Sequence, residues 1–260
     1  MSARGAADGA RPRISWHRGG AELAPFATLS AFSSAAAHGA ELIEVDVRRT
    51  ADGTLVCVHD PEVPGVGRID QVAWSAVGPA SAGSPRAGAG RVFALAEFLD
   101  ALDEHDPART SEIHLDLKET GYEGAAVAAV LGRSRRLVVT SLEEGSIEAV
   151  RSAYPSVPAL LTLGRDGRHL RRMERLRLRA SELAPFGRVA RCGATGVAAH
   201  HLLAGPWLRR WCTSRGMQLL VWTVDSDRAL ERWLGRRDVD VVTTNRPLAA
   251  IALRDGDSAP

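Results

Sequence analysis

The residues of this chain with the most chemical potential sit on short apolar runs. In LIEVDV (42–47), Glu44 and Asp46 alternate with apolar side chains. Side chains two apart on a strand share one face. Two uncompensated carboxylates side by side repel, and burying either charge is costly. A hard divalent cation relieves both problems, because Mg2+ and Ca2+ take carboxylate oxygens. A pair of arginine salt bridges is the alternative. IHLDLK (113–118) repeats the spacing with Asp116 and Lys118. Asp116 offers a third carboxylate, and Lys118 a compact positive charge suited to a phosphate oxygen. A local Asp–Lys pair on a solvent face is the plain alternative. Of 33 basic residues, however, Lys118 is the only lysine, so a salt bridge here did not require one.

Two histidines close neighbouring runs. ISWH (14–17) ends in His17-Arg18-Gly19, and TLVCVH (54–59) ends in His59-Asp60. Imidazoles titrate near neutrality and can serve as base and acid. Arg18 can hold a phosphate, or bridge to Glu44 or Asp46. Trp222, in QLLVWTV (218–224), faces either this site or the outer helices. Facing the site, it presses on an apolar or polyol part of a substrate. His200 and His201 close GVAAH (196–200) as rim residues outside the predicted site.

Eight strands are needed to position these groups: 14–17, 42–47, 113–118, 136–141, 158–163, 196–200, 218–224 and 239–244. Helical patterns lie between them at 27–39, 92–105, 146–154 and 206–216, several ending in glycine as helix C-caps do. Alternating strands and helices mean parallel units. Eight units in a chain of this length predict an α/β fold, a (β/α)8 TIM barrel, whose active site lies at the C-terminal ends of the strands. TLVCVH is left over. It follows LIEVDV after only RRTADG, too short for a crossover helix, and Asp52-Gly53 is a hairpin turn signal. A β-hairpin insertion over 46–59, after the second barrel strand, returns His59 to where Asp46 left. Residues 61–91, rich in Gly, Pro, Ala and Ser, read as a long surface loop or lid.

The chain has 260 residues, 45% hydrophobic and 25% charged, with net charge +2. One domain over 13–253 accounts for it, with disordered tails at 1–12 and 254–260. The charge balance gives no field for nucleic acid. No apolar run is long enough for a membrane span, and the N-terminus lacks a signal-peptide core. Three separated cysteines, Cys57, Cys192 and Cys212, argue against a disulfide framework or zinc site and for a reducing, cytoplasmic setting. Oligomeric state is left open.

Together the motifs resemble the glycerophosphodiester phosphodiesterase family. HRG (17–19), SAF (30–32), EVDV (44–47), TADG (50–53) and HD (59–60) follow its pattern in order. FALAEFLDAL is similar to its T-L-x-E-x-L helix, and LDLKE to its E-I-K strand. VTSLEEGSIEAVRSAYPSVP is similar to its S-F strand and following helix. VWTVDS and VDVVTTNRP are similar to its W-T-V-N and G-I-I-T-D-x-P. The likeness covers roughly residues 13–250. It implies a (β/α)8 barrel that hydrolyses glycerophosphodiesters to glycerol 3-phosphate and an alcohol, with one divalent cation, Mg2+ or Ca2+. By position, Glu44, Asp46 and Asp116 would be metal ligands, and His17 and His59 the acid/base pair. Arg18 and Lys118 would bind phosphate, and Trp222 the glycerol side. The implied route is attack by a neighbouring glycerol hydroxyl, giving a cyclic phosphate that is then hydrolysed. Three departures stand out. PFAT (25–28) replaces P-E-N-T. Asn245 in TNRP (244–247) replaces an aspartate. Asp116-Leu117-Lys118 resembles the D-L-K of sphingomyelinase D-type phospholipases, which makes a lysophospholipase D-like activity the runner-up. A non-catalytic binder of phosphate compounds is the third reading.

Overall fold

A computed structural model describes residues 11–81, 92–164 and 171–256. Eight parallel strands close into a ring. In chain order they are Arg13–Trp16, Leu42–Arg49, Glu112–Leu117, Leu137–Ser141, Ala159–Leu163, Gly196–His200, Gln218–Trp222 and Val241–Thr244. Each pairs with the next, and the first also pairs with the eighth, Arg13 opposite Val241 and Trp16 opposite Thr244. This is the predicted barrel.

Strand periodicity separates two cores. Ile43, Val45 and Val47 face outward into the large core between strands and helices, with Phe32 and Phe98. The two phenylalanine rings meet edge to face at 4.9 Å. The alternate positions turn inward. Leu42, Val138, Leu160, Ala198, Leu220 and Val241 fill the barrel interior. Above Leu42 on the same strand face come Glu44 and Asp46. The awkward carboxylates of the second strand are therefore its inward set.

Past the ring, the second strand continues to Arg49, and Leu55–Cys57 returns antiparallel with Cys57 opposite Val47. The Asp52 carboxylate accepts from the Thr50 hydroxyl at 2.5 Å and from the Trp74 amide at 3.1 Å. One side chain thus ties the turn to the helix that follows. The expected loop over 61–91 is a correction. Its described part holds a small ribbon (Glu62–Val63 with Gly67–Arg68) and a helix, Trp74–Ser81. Ile69 and Val77 are buried with Val56 and Val92, and this satellite core orders the segment. Residues 82–91 lie outside the described residues.

The chain ends also differ from expectation. The last helix runs Pro247–Asp255, past the expected boundary at 253, because Arg254 pairs with Glu41 at 2.5 Å. Pro12, expected in the tail, is buried. The rest of the predicted disordered tails, 1–10 and 257–260, lies outside the described residues. The helix expected over 92–105 begins only at Leu95, since Phe93–Ala94 adds a strand to Leu55–Cys57.

Arg135 is buried to 2% exposure. Its guanidinium donates to Asp103 at 3.0 Å, to Asp106 at 2.9 Å, and to the carbonyls of Leu102 and Asp106. Removing one partner of a buried pair leaves an uncompensated charge, at about 3–5 kcal/mol. Arg135→Leu is expected to lose that much unfolding free energy in urea denaturation. A loss below about 1 kcal/mol would make this network a surface-like one.

Candidate active site

At the C-terminal ends of the strands opens a cavity of about 710 Å3. His17, Arg18, Glu44, Asp46, His59, Asp116, Lys118 and Trp222 all line it. The eight residues of the predicted site therefore reach one space, which His114 of the third strand also lines. A hollow of about 860 Å3 lies elsewhere, against Phe186, Trp211 and Met217. Among the described residues, Arg215 is the one titratable group on its walls, whereas the carboxylates, imidazoles and cations gather at the barrel mouth.

Two neighbouring strands build the acidic wall. Glu44 and Asp46 come from the second, and Asp116 lies directly opposite Asp46 on the third. One oxygen of each carboxylate lies within 4.8 Å of the others, the one such acidic group among the described residues. Two cations lie among them. Arg18 Nε is 2.7 Å from Asp46 Oδ2, and Lys118 Nζ is 2.7 Å from Asp46 Oδ1. Lys118 also pairs with Asp116 Oδ2. The Asp46 Oδ1 contact is an ion pair in distance but not a hydrogen bond in geometry, and that buried oxygen is left without a donor.

These charges set one another's protonation. Burial, then Asp46 and Asp116, push the Glu44 carboxyl well above its ordinary range. Burial also works against the charge on Asp46, but Lys118 and Arg18 outweigh it and hold that carboxyl below the usual range. For Lys118, burial is outweighed by Asp116 and Asp46, which keep the ammonium charged. Burial, helped by Arg18, pushes the His17 imidazole down to about 4. His59 is lowered too, by burial and then Lys118.

Local backbone shape delivers these groups. Arg18 has φ +50° and Gly19 φ +81°, a left-handed turn that aims the Arg18 amide at Glu44 Oε2, 2.8 Å away. A Cβ on Gly19 would lie 2.8 Å from the Ala31 backbone, so glycine is required there. His59 arrives on the return strand. The Val58 amide donates to the Asp46 carbonyl at 3.1 Å, and Arg48 Nε donates to the His59 carbonyl at 2.9 Å. The imidazole is about half exposed at the lip, with Nδ1 2.7 Å from Asp60. Trp222 faces the cavity, its Nε1 donating to the Ala198 carbonyl at 3.1 Å. His200 packs edge-on against it at 5.3 Å.

Several supporting residues escaped the sequence reading. Thr140 Oγ1 donates to Asp116 Oδ1 at 2.7 Å. Tyr122 donates to the Val47 carbonyl at 2.6 Å and accepts from the Lys118 and Glu119 amides, both at 3.2 Å. Arg48 joins Glu119 to the His59 carbonyl. Inward register alone marks Thr140, directly opposite Asp116 on the fourth strand. Nothing local in sequence marks Tyr122 or Arg48.

The glycerophosphoryl diester phosphodiesterase family model matches residues 17–249. The chain belongs to that family. A glycerophosphodiester phosphodiesterase from Caldanaerobacter subterraneus is 26% identical over 247 residues, covering 91% of this chain and 95% of that protein. The barrel superposes on a glycerophosphodiester phosphodiesterase from Parabacteroides distasonis with a TM-score of 0.75 at 19% identity, over 95% and 98% of the two chains. An Oleispira antarctica phosphodiesterase, solved with its product sn-glycerol-3-phosphate, gives 0.71 at 18% identity, over 94% and 97%.

Family membership gives the departures from its motifs a structural reading. Phe26 of PFAT lies under the Arg18 guanidinium, 5.7 Å from ring centre to carbon, a cation–π contact. Ala27 has φ +59°, a conformation that asparagine tolerates better than alanine. Thr28 keeps its work, capping helix Leu29–Ala37 through the Ala31 amide at 3.2 Å. At the closing motif, Asn245 stands where the pattern has aspartate. Asp225 stands where W-T-V-N has asparagine, and its carboxylate accepts from the Asn245 amides. Against the pattern, carboxylate and amide are exchanged between positions 225 and 245, and the two side chains still pair.

Proposed function

We propose that this chain hydrolyses glycerophosphodiesters to sn-glycerol 3-phosphate and an alcohol, with one divalent cation, Mg2+ or Ca2+. What carries the reading is one cavity where His17 and His59, three clustered carboxylates and the chain's single lysine meet. The family, the named activity of the Caldanaerobacter relative and the product held by the Oleispira relative support it.

The donor set fits a hard cation. Three carboxylates meet two fixed cations, which leaves one negative charge over. The raised Glu44 and the orphaned Asp46 Oδ1 are the places where that excess shows. Held by Glu44, Asp46 and Asp116, the ion would neutralise phosphoryl charge and position the group. Around it, Arg18 and Lys118 bind phosphate oxygens and Trp222 flanks the glycerol side. His17, buried and neutral, takes the proton from a glycerol hydroxyl as that oxygen attacks phosphorus. His59, at the lip, gives a proton to the departing alcohol. Water then opens the cyclic phosphate with the two roles reversed.

No helix among the described residues is long and apolar enough to cross a membrane. All three cysteines are free and buried, which supports a cytoplasmic setting. The test is a small panel of glycerophosphodiesters and lysolipids, assayed with each metal. Glycerol 3-phosphate should appear from glycerophosphocholine, stop with EDTA and return with Mg2+ or Ca2+. Turnover of long-chain lysolipids alone would make the enzyme a lysophospholipase D-like one. No turnover of either with metal present would make the chain a binder.

A further inference from the structure

Asp225 follows the seventh strand, outside the ring of groups that line the cavity. Its carboxylate is nonetheless fully occupied. Oδ1 accepts from the Asn245 backbone amide at 2.8 Å and from the Thr244 hydroxyl at 3.1 Å. Oδ2 accepts from Asn245 Nδ2 at 2.8 Å. A carboxylate oxygen accepts and an amide NH2 donates, so this contact decides which way the Asn245 side chain points. Its Nδ2 must face Asp225, and its Oδ1 must face inward. There it meets His17 Nδ1 at 2.7 Å. An amide oxygen can only accept, so the proton of neutral His17 has to sit on Nδ1. Nε2 then carries the lone pair, on the side of Glu44 Oε2, 4.0 Å away.

We infer that Asp225 is a positioning residue: through the Asn245 amide it locks His17 in the Nδ1–H tautomer and leaves Nε2 free to accept a proton. The inference rests on the base role given to His17 above. The lock is directional. If Asn245 turned over, Nδ2 would face His17 Nδ1, the ring proton would move to Nε2, and His17 would present no lone pair to the cavity. The Arg246 guanidinium holds the Asp225 carbonyl at 2.9 Å and Asp227 at 2.6 Å, which fixes the loop that carries the carboxylate.

The nearly isosteric Asp225→Asn separates this role from a structural one. The new amide oxygen can still accept from the Asn245 backbone, but its NH2 then faces the Asn245 side chain and turns that side chain over. Histidine-ring nitrogen–proton correlation spectra of the full 15N-labelled chain read the tautomer directly, with His17 assigned by the peaks lost in His17→Gln. Wild type should show Nδ1–H. Asp225→Asn should shift His17 to Nε2–H and lower kcat about 10- to 100-fold with little change in KM, the range seen when the partner that orients a working histidine is removed. The exchange Asp225→Asn with Asn245→Asp again puts an acceptor on His17, and should restore both the Nδ1–H signature and most of kcat. Nε2–H in wild type, or Nδ1–H persisting in Asp225→Asn, would overturn the lock. An exchange variant still in the Nε2–H form would overturn it as well. The spectra need no substrate. If no phosphodiester is turned over, the proposed reaction fails while the tautomer result still stands or falls alone.

Discussion

His59→Ala is expected to abolish phosphodiester turnover, by about 10^2- to 10^4-fold in kcat, and to leave the barrel folded. General acid–base groups contribute on that scale. Stability should hardly move, because the imidazole is about half exposed and its partner Asp60 is exposed. The segment that carries it is held through its backbone, by the Val58 amide on the Asp46 carbonyl and the Arg48 guanidinium on the His59 carbonyl, which alanine leaves in place. Steady-state kinetics beside a urea melt decides the matter. Activity within about tenfold of wild type would take His59 out of the reaction, and a collapsed melt would make it a structural residue.

The second large effect is expected at Asp46. It is the hub of the cluster, 2.7 Å from both Arg18 and Lys118 and facing Asp116 across the sheet. Asp46→Asn keeps the shape but removes the charge that both cations share. The carboxylate excess then disappears, and with it the reason to bind a dication. Mg2+ or Ca2+ affinity, read by calorimetry, should fall at least about 100-fold, the upper end of what even an outer supporting partner costs. Turnover should vanish with it. Asp116→Ala should weaken metal more than substrate, since Lys118 keeps Asp46 as a partner. Unchanged metal affinity in both variants would assign the three carboxylates to the salt-bridge alternative.

The inward wall was legible because strand periodicity is strict. Once Glu44 and Asp46 share a face, the register of neighbouring strands carries Asp116 and Lys118 to the same side. The leftover run TLVCVH was legible for a topological reason, as no helix fits into RRTADG. What escaped was set by distance in sequence. Tyr122 holds the Val47 carbonyl from 75 residues away, and Asn245 meets His17 across 228. No local pattern encodes such pairs. Asn245 read as a lost carboxylate because Asp225 replaces it only in space. The loop reading of 61–91 misled in another way. Gly, Pro, Ala and Ser make up most of it, yet Ile69 and Val77 bury a small core with Val56 and Val92.

The ring closes between its first and last strands, and that seam has a consequence for the order of assembly. Glu44, Asp46, Asp116 and Lys118 all belong to early strands, joined side by side as soon as the second and third pair. His17 depends on Asn245, which comes into place only when the eighth strand docks on the first. Contacts so far apart in the chain must close a long loop before they form. A barrel whose last strand has not yet docked, or has briefly peeled away, therefore keeps its charges grouped but leaves its buried histidine unguided. With His17 as the proposed base, activity would also report that the ring has closed.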